Sequence, residues 1–236
     1  MDRIGIAQQW IDRHSLKNYL EIGCRSGLSL LRVKANTKIA VDPQFAIPVK
    51  TKIKWSLLNP SNLRLKYFEM TSDQFFAGNR AVLDRYPIGV ALIDGLHTYR
   101  QALVDVLNIL PYLVDSGLIV MHDCYPPNAA AATPAESPAE AQKAAAESWT
   151  NEWCGDTWKA VMYLREFVPE VKAIVLNCDY GLGIVRKRHP GKIVPKLEKA
   201  SFEKLLRHQY KEMIERQKDW IGLCDTASFS QMLNDG

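Results

Sequence analysis

The sequence predicts an α/β domain built on a parallel sheet, with a ligand crevice at the carboxyl ends of its strands. Three observations carry this. Short apolar runs alternate with longer amphipathic stretches. The first run is followed by Gly23 and Gly27 at G-x-x-x-G spacing. Four runs end in or beside an acid: Glu21, Asp42, Asp94 and Asp123. Buried parallel strands read as continuous apolar runs and meet their ligands at their carboxyl ends. One acid there caps a helix; acids recurring at successive strand ends point to a site.

The elements follow in order. Residues 3–14 carry Ile4, Ile6, Trp10 and Ile11 partly at helical spacing, which predicts a helix covering a sheet edge or overhanging the site. Residues 18–22 are the first strand, within which Glu21 requires a partner because a buried carboxylate is costly alone. Gly23 and Gly27 permit positive φ and close approach, and residues 28–33 predict a helix. Residues 38–42 form a second strand, stopped by Pro43. Residues 44–62 read as an irregular connection with room for a short helix, and 63–70, which alternates loosely, as a third strand. Thr71, Ser72 and Asp73 offer capping oxygens to a helix over 73–84.

Residues 90–94 are a fourth strand, with an exit loop over 95–99. Leu103, Val106, Leu107, Leu110 and Leu113 mark an amphipathic helix over 100–113, and residues 117–123 a fifth strand. The Ala/Pro-rich segment 126–150 predicts a flap leaving the sheet just after Asp123, with a helix near 139–147. Asp156 or Thr157 is expected to cap a helix ending at Phe167. Residues 171–176 and 181–185 predict an antiparallel pair, and residues 200–220 a last helix.

Composition narrows the function classes. A chain of 236 residues with 47% hydrophobic and 24% charged residues fits one globular domain, taken as 1–236. A net charge of +4 is too mild to suggest a nucleic-acid binder, and the basic run from Arg186 to Lys199 reads as a solvated face. Five cysteines without a C-x-x-C pair argue against a disulfide framework or a thiolate zinc site. No run approaches the ~20 apolar residues of a membrane span. With no signal-peptide pattern at the N-terminus, the expectation is a cytoplasmic protein with no membrane partner. Homo-oligomerisation stays open.

The segments Glu21-Ile22-Gly23-Cys24-Arg25-Ser26-Gly27, Ile93-Asp94-Gly95-Leu96-His97-Thr98-Tyr99 and Ile119-Val120-Met121-His122-Asp123-Cys124 together resemble class I S-adenosylmethionine-dependent methyltransferases, in the branch called methyltransferase family 24. The resemblance covers residues 15–187. It leaves 126–150 as an insertion and 198–236 as a C-terminal helical extension. It implies a Rossmann-like, mostly parallel seven-stranded sheet of order 3-2-1-4-5-7-6 with helices on both faces. It implies S-adenosylmethionine as cofactor, with Glu21, Gly23, Ser26 and Gly27 around its methionine part. Asp42 would accept from both ribose hydroxyls, Ser72 and Asp73 would lie at the adenine, and Asp94 would face the reactive methyl.

In-line transfer to an acceptor oxygen requires alignment and removal of a proton. His97, three residues beyond Asp94, is the expected base, with Asp94 orienting it; both are the expected catalytic residues. The resemblance also suggests a divalent ion on Asp94, His122 and Asp123, although His122 suits magnesium poorly and adjacent strand residues point to opposite faces. The expected activity is O-methylation of a small molecule or saccharide. An NAD-dependent oxidoreductase, or a catalytically silent module binding an adenosyl ligand, stays as the alternative.

Overall fold

The computed structural model describes residues 1–234. Its centre is one mixed sheet of β1 (Asn18–Ile22), β2 (Thr37–Asp42), β3 (Leu65–Glu69), β4 (Ile88–Ile93), β5 (Leu113–Met121), β6 (Val171–Leu176), β7 (Leu182–Lys187) and β8 (Leu223–Cys224). The spatial order is β3-β2-β1-β4-β5-β7-β6-β8. Strands β1 to β5 pair in parallel, and β7 lies antiparallel between β5 and β6. The expected order of seven strands is therefore present, with an eighth added. Strand β8 pairs in parallel with β6 through Val175–Leu223 and Leu176–Cys224, covering an edge that would otherwise present unpaired N–H and C=O groups.

Helices α1 (Arg3–Arg13), α2 (Val49–Leu58), α3 (Ser72–Gly78), α4 (Arg80–Arg85), α5 (Tyr99–Ile109), α6 (Pro138–Ala145) and α7 (Trp158–Phe167) precede the hairpin. Helices α8 (Lys199–Leu206), α9 (Tyr210–Glu215), α10 (Gln217–Trp220) and α11 (Ala227–Asn234) follow it. Alternate strand residues point to opposite faces, so the sheet separates two apolar layers. Leu20, Ile22, Ala91 and Ile119 pack with Leu103 and Val106 of α5 and Val161 and Leu164 of α7. Tyr19, Val90, Leu92 and Val120 pack with Ile6 and Trp10 of α1 and Phe229 of α11. None of the described helices is long and apolar enough to cross a membrane.

Four local expectations are corrected. Residues 28–33 form turns and not a helix. Two helical hydrogen bonds form, Leu31 to Gly27 and Val33 to Ser29. Beyond them, side chains take the carbonyls. The fully buried Lys38 Nζ donates to Leu30 O at 2.6 Å, to Val33 O at 3.0 Å and to Asn62 Oδ1. Asn59 Nδ2 donates to Leu31 O and Val33 O at 3.0 Å, and Asn62 Nδ2 to Leu31 O at 3.0 Å. These bonds compete with helix propagation and satisfy the buried backbone.

The helix expected over 73–84 breaks at Asn79, whose N–H closes α3 on Phe75 O at 2.9 Å and whose side chain donates to the same carbonyl. The last helix is three short ones, α8 to α10. Helix α7 lacks its expected side-chain cap: Asp156 instead accepts from Tyr99 N at 2.7 Å and Lys159 Nζ at 3.2 Å, while Thr157 Oγ1 donates to Asp123 O. The Ala/Pro-rich segment lies against the body, where Ala131 O accepts from Cys154 N and Gly155 N.

Candidate active site

The sheet order reverses between β1 and β4, and there the carboxyl-end crevice of an open α/β sheet forms. Gly23, with φ of 85°, sits at this switch point, and a Cβ on it would overlap the Asp94 carbonyl. Only glycine lets the β1 and β4 exits lie this close.

Asp94 at the end of β4 and the His122–Asp123 pair at the end of β5 then converge with His97. Strand β5 ends at Met121, and Asp123 turns with φ of 60°, so His122 and Asp123 escape strand alternation and both reach the cluster. His97 Nε2 lies 3.7 Å from Asp94 Oδ1 and 3.4 Å from Asp123 Oδ2. His97 Nδ1 lies 2.7 Å from Trp153 O. A carbonyl only accepts, so Nδ1 carries the proton, and Nε2 of the neutral ring turns its lone pair toward two carboxylates. That arrangement calls for a proton or a cation at Nε2. Burial opposes charging His97, but Asp94 and Asp123 outweigh it and hold its pKa above the ordinary value. Asp94, despite burial, is held far below the usual carboxylate range by His122, His97 and Arg3.

Gly155, with φ of 60°, fixes this pairing from the other side, since a Cβ there would overlap the His97 carbonyl. The Trp153 ring lies 5.1 Å from the His97 ring, tilted by 30°.

Three residues that sequence reasoning missed or left aside join the cluster. Arg3, at the start of α1, places Nη1 2.6 Å from His122 Nε2 and 3.0 Å from Asp179 Oδ1. Its Nε lies 3.6 Å from Asp94 Oδ2, and its backbone N–H donates to Asp179 Oδ2 at 3.0 Å. Asp179 belongs to the β6–β7 turn and also has positive φ. Trp153 contributes its carbonyl. No local motif announces Arg3 or Asp179, because their roles depend on contacts 176 residues apart.

A guanidinium only donates, so its approach requires a lone pair on His122 Nε2 and puts that ring's proton on Nδ1. Burial opposes a second proton on His122, while Asp123, Asp179 and Asp94 favour it; Arg3 and that proton therefore compete for Nε2. His122 Nδ1 is 2.9 Å from Asp123 Oδ2 and 3.2 Å from Asp94 Oδ1, yet misaligned with both, leaving this buried nitrogen without a hydrogen bond.

The residues expected at a cofactor are distributed along the same rim. Asp42 Oδ2 accepts from Arg25 N and Oδ1 from Gln44 N, each at 2.7 Å, joining the loops after β1 and β2. Each oxygen keeps a lone pair, so the carboxylate still fits a vicinal diol. Ser26 and Asp73 are exposed and Gly27 is buried. Ser72 Oγ accepts from Gln101 Nε2 at 3.1 Å, which also donates to Asp105 Oδ1 at 3.0 Å. Burial pushes the Asp105 carboxyl up to about 7.

Glu21 is only 2% exposed and accepts from Tyr19 Oη at 2.6 Å; burial pushes its carboxyl up to about 8, with the Tyr19 hydroxyl opposing. Its partner is thus a neighbour on its own strand. Among the described residues, the donors with metal-ligand spacing are Asp94, His97 and Asp123, whose atoms lie within 4.8 Å of one another. The expected set had His122 in place of His97; the Arg3 contact puts a proton, not a lone pair, on His122 Nδ1.

Residues 20–124 match the family model described as a methyltransferase domain, methyltransferase family 24. This segment is similar to methyltransferase domains. No curated protein matches the chain by sequence. Among solved structures, cofactor-bound Rv0187 from MTB is 11% identical with a TM-score of 0.55, over 80% of this chain and 82% of that one. The methyltransferase PaMTH1 of Podospora anserina, bound to S-adenosylhomocysteine (SAH), is 18% identical with a TM-score of 0.53, over 80% of each chain. The O-methyltransferase TomG of Streptomyces achromogenes, in complex with S-adenosylmethionine (SAM), is 11% identical with a TM-score of 0.51, over 78% of this chain and 79% of that one. At such identities the likeness is one of fold. The matched segment supplies Asp42, Asp94, His97, His122 and Asp123; Arg3, Trp153 and Asp179 reach the cluster from outside it.

Proposed function

We propose that the chain is an S-adenosylmethionine-dependent O-methyltransferase acting on a small hydroxylated acceptor. The observation that carries this is the convergence of His97 Nε2 with Asp94 and Asp123 at the switch point of a segment that matches methyltransferase domains. Bound S-adenosylmethionine supplies an electrophilic sulfonium methyl. Asp42 would accept from its ribose hydroxyls, the Gly23–Gly27 loop would hold its methionine part, and Ser72 and Asp73 would hold its adenine. His97 takes the acceptor's proton at Nε2. The Trp153 carbonyl keeps its other proton on Nδ1, and Asp94 steadies the imidazolium that results. Trp153 and Tyr180 flank His97 and His122 and supply apolar walls suited to an aromatic or sugar ring.

The Asp94, His97 and Asp123 donors support a second reading of the same step. A divalent ion there would be held by two carboxylates and one imidazole, and would lower the pKa of a bound hydroxyl. His97 Nε2 serves as base or as ligand, not as both at once. The buried His122 Nδ1, lacking a partner beside the same carboxylates, fits a local charge balance completed on binding.

Calorimetry with SAH tests the cofactor, with NAD as the competing ligand. Uptake of the first and not the second is expected; uptake of NAD alone rejects the proposal. Methyl transfer to catechols and glycosides, with and without EDTA, separates the two readings. Activity that survives EDTA assigns His97 as base, and activity restored only by a divalent ion assigns it as ligand.

A further inference from the structure

Helix α2 breaks the rule that a surface helix buries one face, since none of its ten residues is buried. Val49, Ile53 and Leu57 recur every four residues and form a single ridge. They are 70%, 58% and 79% exposed, and Leu58 and Leu63 beside them are 59% and 76% exposed. The opposite side is moored: Trp55 lies under Arg32 at 5.7 Å, and its carbonyl accepts from Asn62 Nδ2 at 2.9 Å. The outward aliphatic ridge is therefore fixed by the body and is not a frayed end.

Charge accompanies the ridge. Between Asp42 and Glu69 the chain carries Lys50, Lys52, Lys54, Arg64 and Lys66 and no acid. On a helical projection the exposed Lys50 and Lys54 flank the ridge on one side and Lys52, whose Nζ lies 4.7 Å from the centre of the Tyr67 ring, on the other. The apolar stems of such lysines lie along a hydrophobic surface while their ammonium groups reach charged groups beside it. Leu58 and Leu63 continue into an open cleft whose charged lining is Lys17, Lys34 and Arg64 with the single acid Asp12.

We infer that α2 docks the protein on an anionic lipid surface, with Val49, Ile53 and Leu57 inserted at the headgroup boundary and the flanking lysines on lipid phosphates. A second copy of the chain is disfavoured, because a two-fold contact through this face sets Lys50, Lys52 and Lys54 against the same three lysines. A groove-bearing protein is not needed to cover a ridge that a soft interface accommodates. The expectation of no membrane partner rested on the absence of a spanning segment; a helix lying in the interface needs none. This inference does not depend on the proposed methyl transfer.

The test is co-sedimentation of the full chain with phosphatidylcholine vesicles, with and without phosphatidylglycerol. Binding to the anionic vesicles alone is expected, weakening as salt shortens the screening length. At roughly fivefold per lysine near the surface, the triple variant K50Q/K52Q/K54Q is expected to bind about a hundredfold more weakly. I53S/L57S is expected to lose binding at all salt concentrations. Circular dichroism checks that both variants fold, and the salt titration of the unaltered protein needs neither. Equal binding to neutral and anionic vesicles overturns the inference. So does absence of binding, or light scattering that shows a dimer dispersed by I53S/L57S.

Discussion

His97 is useful only while its Nε2 is free of a proton, and its carboxylate neighbours raise the pH at which that holds. The free-base fraction grows as pH rises through the elevated pKa, so activity through His97 should rise over that range. Asp94→Asn removes a negative charge beside the ring, so the inflection of the pH–rate profile should move to lower pH. His97→Ala should cost roughly 10²–10⁴ in kcat if the ring is the base, with SAH affinity by calorimetry little changed.

Glu21 offers a separate check at the same scale. Its carboxyl titrates near 8 when folded against 4.5 for the ordinary group, so the folded state binds more protons between those values. Stability attributable to this group is therefore greatest below about pH 4.5 and falls as pH rises toward 8. Glu21→Gln should flatten the decline of melting temperature across that window; an unchanged slope rejects a protonated Glu21.

The loop over residues 28–33 shows how an element can be misread from its composition. Leu28, Leu30, Leu31 and Val33 have helical apolar spacing, but they lie on a turn whose carbonyls are held by Lys38, Asn59 and Asn62. Asn59 and Asn62 lie 28 and 31 residues beyond Leu31, outside any window around the loop, and Lys38, though near in sequence, sits on the next strand. Lys38 makes three hydrogen bonds, a number that requires the ammonium form, although burial lowers its pKa to about 8. Lys38→Met should leave those acceptors without their donor and cost about 3 kcal/mol by chemical denaturation.

Strands β4 and β5 were legible from continuous apolar runs, β3 from a loose alternation, and the β6–β7 hairpin because its two runs share a short polar turn; β8, only two residues long, left no pattern to read. The tryptophan segment around Gly155 was less so: its capping pattern is real in type, but Asp156 and Thr157 serve other elements, Tyr99 and Asp123.

At the scale of the molecule, the strand-end acids were legible from Asp42, Asp94 and Asp123, since the fold rule fixes which ends meet. The charge that balances them was not, because Arg3 arrives from the first helix and Asp179 from the last hairpin. Arg3 neutralises Asp94 and Asp179 and places its guanidinium where a cation would lower the same energy. Arg3→Ala should therefore strengthen binding of a divalent ion such as Mn²⁺, read by calorimetry. If affinity instead falls, Arg3 is organising the ligands and not competing with the ion.

The Arg3–Asp179 contact also links the history of the chain to its chemistry. Arg3 cannot find this carboxylate until the hairpin, 176 residues further along, has left the ribosome, so shorter nascent fragments carry the glycine loop and three strand-end acids without this clamp. Whatever reaction this protein performs, closure of this charge cluster is then a late event of its synthesis.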